Sequence, residues 1–173
     1  MKMTKKILVL FSILLFQNYL NAQKYDVSDS IELSKPNIYN LFQETIEQDK
    51  DFPTTPWFTD NTNDKYFKSD TIKLIHANSY KRDYCNIINW TFQKKDEMIR
   101  TFADYCEEPP TAKVATENDY FRVRISEKES NTFLELYNKN RLVEKFKIES
   151  LVKNQILSYG HVIQYILTLV RTD

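Results

Sequence analysis

Cys85 and Cys106 are the only cysteines in this chain of 173 residues, and the chemistry they can do depends on what lies between them. Reactive dithiols usually sit two residues apart at a helix start, where the thiol pKa is lowered, and these stand 21 positions apart. A cross-strand disulfide fits better. If Lys95 and Asp96 form a two-residue turn, Lys94 pairs with Glu97, Phe92 with Ile99, Trp90 with Thr101, Ile88 with Ala103, and Cys85 faces Cys106. In that register the cysteines fall on a non-hydrogen-bonded pair, where Cα atoms approach within disulfide reach. The alternative is two buried, unpaired thiols.

Other reactive side chains are sparse. The two histidines, His76 and His161, have no second histidine or cysteine at metal-ligand spacing. Cys85 with His76 would make a nucleophile and base only if the thiol were free. Asp60, Thr62 and Asp64 resemble the opening of a calcium loop, but Lys65 replaces the glycine and Thr71 the bidentate glutamate, so they read as a polar turn. Glu107 and Glu108 lead into Pro109 and Pro110 and read as a solvated loop. Asn89-Trp90-Thr91 matches the glycosylation sequon in mid-strand, a poor acceptor context, and reads as chance. These residues assign no catalytic group, no metal and no cofactor.

One glycine, Gly160, stands where average composition would give about twelve. Phosphate-cradling loops and the turn that presents a nucleophilic serine need glycine, so both are disfavoured. Tight turns must use Asn and Asp instead. Biased base composition explains the shortage without any function.

Lys2, Lys5 and Lys6 precede an apolar run from Ile7 to Phe16 and then Ala22, the layout of a secretory signal peptide over residues 1–22. The run is about half a membrane-crossing length. Leu20 makes the cleavage site imperfect, and no cysteine follows the run to carry a lipid anchor. The expected product is a single domain, 23–173, in the periplasm or secreted, without a stable membrane anchor. It retains 21 basic against 24 acidic side chains, a net charge of −3, which gives no nucleic-acid surface.

Ser34, Pro36 and the spacing of Ile38, Leu41, Phe42 and Ile46 predict one N-terminal helix. The Pro- and Thr-rich stretch 52–70 reads as an irregular loop. Alternating apolar segments predict strands near 71–78, 85–94, 97–106, 111–116, 119–126, 131–138, 141–149 and 162–170, the last favouring strand over helix because Ile, Val, Tyr and Thr dominate it. A four-residue loop Glu127 to Ser130 would set Phe121 against Leu136, Val123 against Leu134 and Arg122 against Glu135. A three-residue loop Lys139 to Arg141 would set Leu134 against Phe146 and Glu135 against Lys145.

The fold class is therefore α+β: one N-terminal helix with a seven- or eight-stranded antiparallel β-meander that can close as a barrel. Strand count and order are loosely similar to lipocalin-like barrels, a resemblance of architecture that carries no motif and little functional content. The aromatic content, 14%, is the best pointer to function. Trp57, Phe58, Tyr66 and Phe67 belong to no predicted element, and they either plug one end of the sheet or rim a pocket.

Three functions follow as expectations. The first is an exported, non-catalytic binding module for a small apolar ligand or a protein. The second is an extracytoplasmic inhibitor or immunity protein acting through an exposed strand or the loop 107–110. The third is an enzyme without a recognisable motif. Intact-mass spectrometry of the exported protein checks the address: a chain beginning near Gln23 and two hydrogens light is expected, and a full-length, reduced chain would contradict it.

Overall fold

A computed structural model describes residues 27–47, 55–77, 84–156 and 162–172. The signal-peptide segment, Gly160 and His161 lie outside them. In chain order the elements are β1 (Val27–Ser30), α1 (Lys35–Glu47), β2 (Trp57–Asp60), α2 (Lys65–Lys68), β3 (Thr71–Ala77), β4 (Asn86–Lys94), β5 (Glu97–Asp104), β6 (Thr111–Ala112), β7 (Tyr120–Lys128), β8 (Asn131–Asn138), β9 (Arg141–Ile156) and β10 (Val162–Arg171).

All pairings are antiparallel, and eight strands close on themselves in the order β9-β10-β3-β2-β4-β5-β7-β8 and back to β9. Closure removes the unpaired edges that an open sheet would expose. The order departs from a simple meander at one place, because β2 inserts between β3 and β4. β2 falls in the stretch read as loop: its Pro- and Thr-rich flanks hide a run, Trp57 to Thr59, that is wholly buried. The sixteen-residue β9 outruns its expected end; its first half pairs with β8 and its last residues with the short β1. β6 pairs with β5 outside the ring.

The helix forms where expected. The Ser34 hydroxyl accepts from the Asn37 N–H at 3.4 Å, and Ile38, Leu41, Phe42 and Thr45 turn one face into the core. Its segment bonds to strands on opposite sides of the ring: Thr45 accepts from the Trp57 indole at 3.4 Å, the Tyr165 hydroxyl donates to Glu44 at 3.1 Å, and Thr132 donates to the Leu33 carbonyl at 2.9 Å. α1 therefore lies across one mouth of the barrel. Phe42 stacks on Phe92 with ring centroids 4.1 Å apart and meets Trp57 edge-on at 5.8 Å.

Register is where sequence and structure part. Lys94 pairs with Glu97 as expected, but a bulge between Phe92 and Lys94 shifts the rest by one: Phe92 faces Met98, Trp90 faces Arg100 and Ile88 faces Phe102. A one-residue slip exchanges the two faces of a strand, so Met98, Arg100 and Phe102 point inward instead of Ile99, Thr101 and Ala103. The β7–β8 turn is two residues, Glu129 and Ser130, both at positive φ (51° and 63°), rather than four. That moves the pairing by two and keeps the faces, so Val123 meets Leu136 and Arg124, not Arg122, meets Glu135. Leu134 does face Phe146 and Glu135 does face Lys145, although the route is a two-residue turn, Lys139 and Asn140, plus a bulge after Leu136. Among the described residues Asn63, Asp64 and Asn140 supply positive φ as the glycine shortage requires, joined by Glu129, Ser130 and Lys139.

The Cys85–Cys106 disulfide is present, with Cα atoms 5.0 Å apart. The bulge would have set Cys85 against Tyr105. The bridge instead spans the strand ends beyond the last ladder pair, Asn86 with Asp104, where the Cys106 N–H donates to the Asp104 carboxylate at 2.9 Å and bends the chain toward Cys85. In the chain-entropy account a loop of this size contributes roughly 3 kcal/mol. Denaturant titration of the Cys85→Ser, Cys106→Ser double variant should show a loss of about that size, and a loss below about 0.5 kcal/mol would mean that the ladder alone holds this end.

Candidate functional site

The bore of the barrel is occupied. Trp57, Trp90, Phe146 and Tyr165 lie within it at 0–2% exposure, with buried apolar residues of the other wall strands around them. His76 belongs to the same stack, its ring centroid 5.3 Å from Trp57 and 6.3 Å from Tyr165. Burial, then the neighbouring Glu44 carboxylate, push the Tyr165 hydroxyl up to about 12.

The mouth opposite α1 is closed by an ionic cluster. Tyr66, carried inward by α2, is fully buried and donates to Glu144 at 2.9 Å while accepting from Arg100 at 3.2 Å. Arg100 also donates to Glu144, and Arg171 binds Glu144 at 3.0 Å and the Tyr66 carbonyl at 2.6 Å. Side-chain exposure is 10% for Arg100 and 11% for Glu144. The Arg100 guanidinium packs over Phe121 at 4.6 Å, a cation–π contact. Two cations face one carboxylate, and Asp119, itself within the field of Arg100, adds negative charge nearby.

Burial alone would raise the Glu144 carboxyl. The Arg100 charge and the hydrogen bonds from Arg100, Tyr66 and Arg171 outweigh it and hold the group below the usual 4.5. Burial and the Glu144 charge together push the Tyr66 hydroxyl well above its ordinary range. These ion pairs and hydrogen bonds fix the geometry of the cluster.

The four aromatics expected as a plug or a rim do not form one rim. Trp57 fills the bore, Phe58 is buried at 2% on the opposite face of β2, Tyr66 seals the mouth, and Phe67 is 47% exposed and stacked on Phe102. Tyr66 also borders a cleft of about 300 Å³ with Asp60 and Lys65. The Asp60 carboxylate accepts from the Thr62 N–H at 2.9 Å and from Lys65 at 3.0 Å, which is the polar turn that the spacing predicted. Asn89, the sequon residue, is 7% exposed.

A concavity of about 620 Å³ lies outside the barrel. It exists because the strands beside β7 have unequal lengths. β5 pairs with β7 only through Glu97–Ile99, and the β4–β5 turn then ends while β7 runs on to Lys128. Tyr39 of α1 takes over there, its hydroxyl accepting from the Ile125 N–H at 3.1 Å and lying 3.4 Å from the Val123 carbonyl. One wall is Tyr39 with Asp96 and Glu97, the floor is Tyr120, Arg122 and Arg124, and the far wall is Tyr137, Asn138 and the Lys139–Asn140 turn.

Pairing within the groove leaves two charges over. Glu97 faces Arg122 in the register, yet it bonds to Lys94 at 2.8 Å. Glu117 pairs with Lys139 at 2.6 Å, and that ammonium holds its carboxyl below the usual range. Glu135 is shared by Lys145 at 3.6 Å, Arg124 at 4.0 Å and the Tyr137 hydroxyl at 3.2 Å. Among the described residues the Arg122 guanidinium and the Asp96 carboxylate have no ion-pair partner. The ladder register expected from sequence would have matched Arg122 to Glu135 and hidden this.

Comparison of the chain with known protein families, with characterised proteins and with solved structures returns no match.

A lowered folded-state pKa gives Glu144 a stabilising contribution that is complete above the ordinary carboxylate range and is lost as pH falls through the folded value. Glu144→Gln should therefore lose about 3–5 kcal/mol at pH 7, because two arginines remain without their counter-charge. It should also lose less than the native protein on acidification below pH 4.5. Urea titrations at several pH values check both; parallel pH profiles would contradict the assignment.

Proposed function

We propose that this chain is an exported, non-catalytic binding module whose ligand sits in the outer groove between the β4–β5 turn, β7 and the β8–β9 turn. One contrast carries the reading: the bore, where a lipocalin-like barrel would take its ligand, is filled and stoppered, whereas the groove is open. Its volume of about 620 Å³ lies within the range of small-molecule sites. Tyr120, 49% exposed, and Tyr137 offer apolar faces with polar tips, and Arg122 offers an uncommitted planar donor fork. The ligand is accordingly small, with an apolar body and a polar end. The disulfide is compatible with an oxidising compartment, which supports export. Among the described residues no helix is long and apolar enough to cross a membrane.

The inhibitor reading keeps one specific support. Residues 105–110 are exposed throughout and are anchored by the disulfide and by the Tyr105 N–H donating to the Cys85 carbonyl at 2.9 Å. A protein recognised by this loop would not need the groove.

Native mass spectrometry of the protein from its own host separates the two. Tyr137→Ala and Arg122→Gln should each lose a small-molecule companion, and their unfolding free energies should stay within about 1 kcal/mol of the parent because both sites face outward. A protein companion at fixed stoichiometry, retained by the groove variants and lost on Glu108→Lys, would replace the groove with the loop.

A further inference from the structure

We infer that the groove is built for a zwitterion: a free amino acid or short peptide with an apolar or aromatic side chain. The inference deepens the binding reading above and rests on it. Its basis is the pair of charges that the groove does not use. Arg122 and Asp96 line the same concavity, and among the described residues neither has an ion-pair partner within 4 Å, the Asp96 charge acting only at longer range on Lys94, whose ammonium is bonded to Glu97. Both are geometrically committed: the β7–β8 turn sets Arg122 opposite Tyr137, and the β4–β5 turn sets Asp96 beside β7, its carbonyl accepting from the Val123 N–H at 2.8 Å.

Each simpler ligand leaves one charge in difficulty. A neutral apolar molecule would shield both side chains from water and return no hydrogen bond to either. A pure anion would gain Arg122 and face Asp96 and Glu97 on the near wall. A pure cation would gain Asp96 and face Arg122 and Arg124 on the floor. A molecule carrying carboxylate and ammonium on one carbon meets neither penalty. Its carboxylate matches the fork of Arg122 and its ammonium donates to Asp96. Its side chain lies toward the tyrosines. The other ionic side chains of the groove are already engaged: Glu97 by Lys94, Glu117 by Lys139, and Arg124 by Glu135.

The test is isothermal titration calorimetry on the mature, disulfide-bonded chain with three probes: phenylalanine, N-acetylphenylalanine, which lacks the ammonium, and phenethylamine, which lacks the carboxylate. Phenylalanine should bind about tenfold more tightly than either derivative, the size of one charge-assisted hydrogen bond. Asp96→Asn should abolish the advantage over N-acetylphenylalanine, and Arg122→Gln the advantage over phenethylamine. Equal affinities for the three probes, an unchanged ratio in Asp96→Asn, or no binding of phenylalanine would each overturn the inference. Probes that bind equally and are lost together in Tyr137→Ala would leave the groove standing as the site while removing its zwitterion chemistry.

Discussion

The bore of an eight-stranded barrel is just wide enough for its own side chains or for one small ligand, and here large buried side chains pack it. Trp57, Trp90, Phe146 and Tyr165 are too large to be displaced without opening the wall, and they bring the polar atoms of two indoles and a phenol with them. Two of those atoms find partners on α1, which ties the interior to that stopper, while the Trp90 indole N–H has no hydrogen-bond partner among the described residues. Trp57 reaches Thr45 and Tyr165 reaches Glu44 on α1. At the far mouth Tyr66 is accepted because Arg100, Glu144 and Arg171 satisfy its hydroxyl and carbonyl. A buried ionic cluster of this kind is costly to desolvate and more costly to leave incomplete, so it specifies the closed arrangement more than it stabilises it.

Once the interior is closed, a small ligand has only the outer surface of the wall to bind. The groove comes from a mismatch in strand length: β5 leaves β7 after three pairs, and a single tyrosine from α1 completes the backbone bonding beyond. The same irregularity leaves Glu97 free to turn back to Lys94 within its own hairpin and so leaves Arg122 unmatched. Barrel closure by itself carries no functional message, because one architecture hosts many activities.

Local rules in the sequence were enough for the helix, the strands from β3 onward, the disulfide and the Leu134–Phe146 and Glu135–Lys145 pairs. What escaped depends on register and on distant partners. In β5 both alternations contain apolar residues, Ile99 and Ala103 in one and Met98 and Phe102 in the other, so periodicity does not decide which face is buried. Arg100 argues for the wrong face until Glu144, 44 residues away, is placed beside it. β1 is four exposed residues without periodicity, and β2 takes its strand character from the neighbours that flank it. The aromatics of 57–67 were recognisable as a group; their division between bore, outer wall and surface was not. Arg122 was visible as a ladder residue, and only a shift of two positions in its hairpin turned it into a candidate ligand contact.

The filled bore is the claim on which the rest stands, and the chain's two tryptophans, both inside it at 1% and 0% exposure, report on it directly. Native tryptophan emission should be blue-shifted and nearly insensitive to iodide and acrylamide, becoming quenchable only together with global unfolding. Emission already red-shifted and quenched in the folded protein, or shifted to the blue by an apolar dye entering the barrel, would mean that the bore is open and that the ligand site belongs inside.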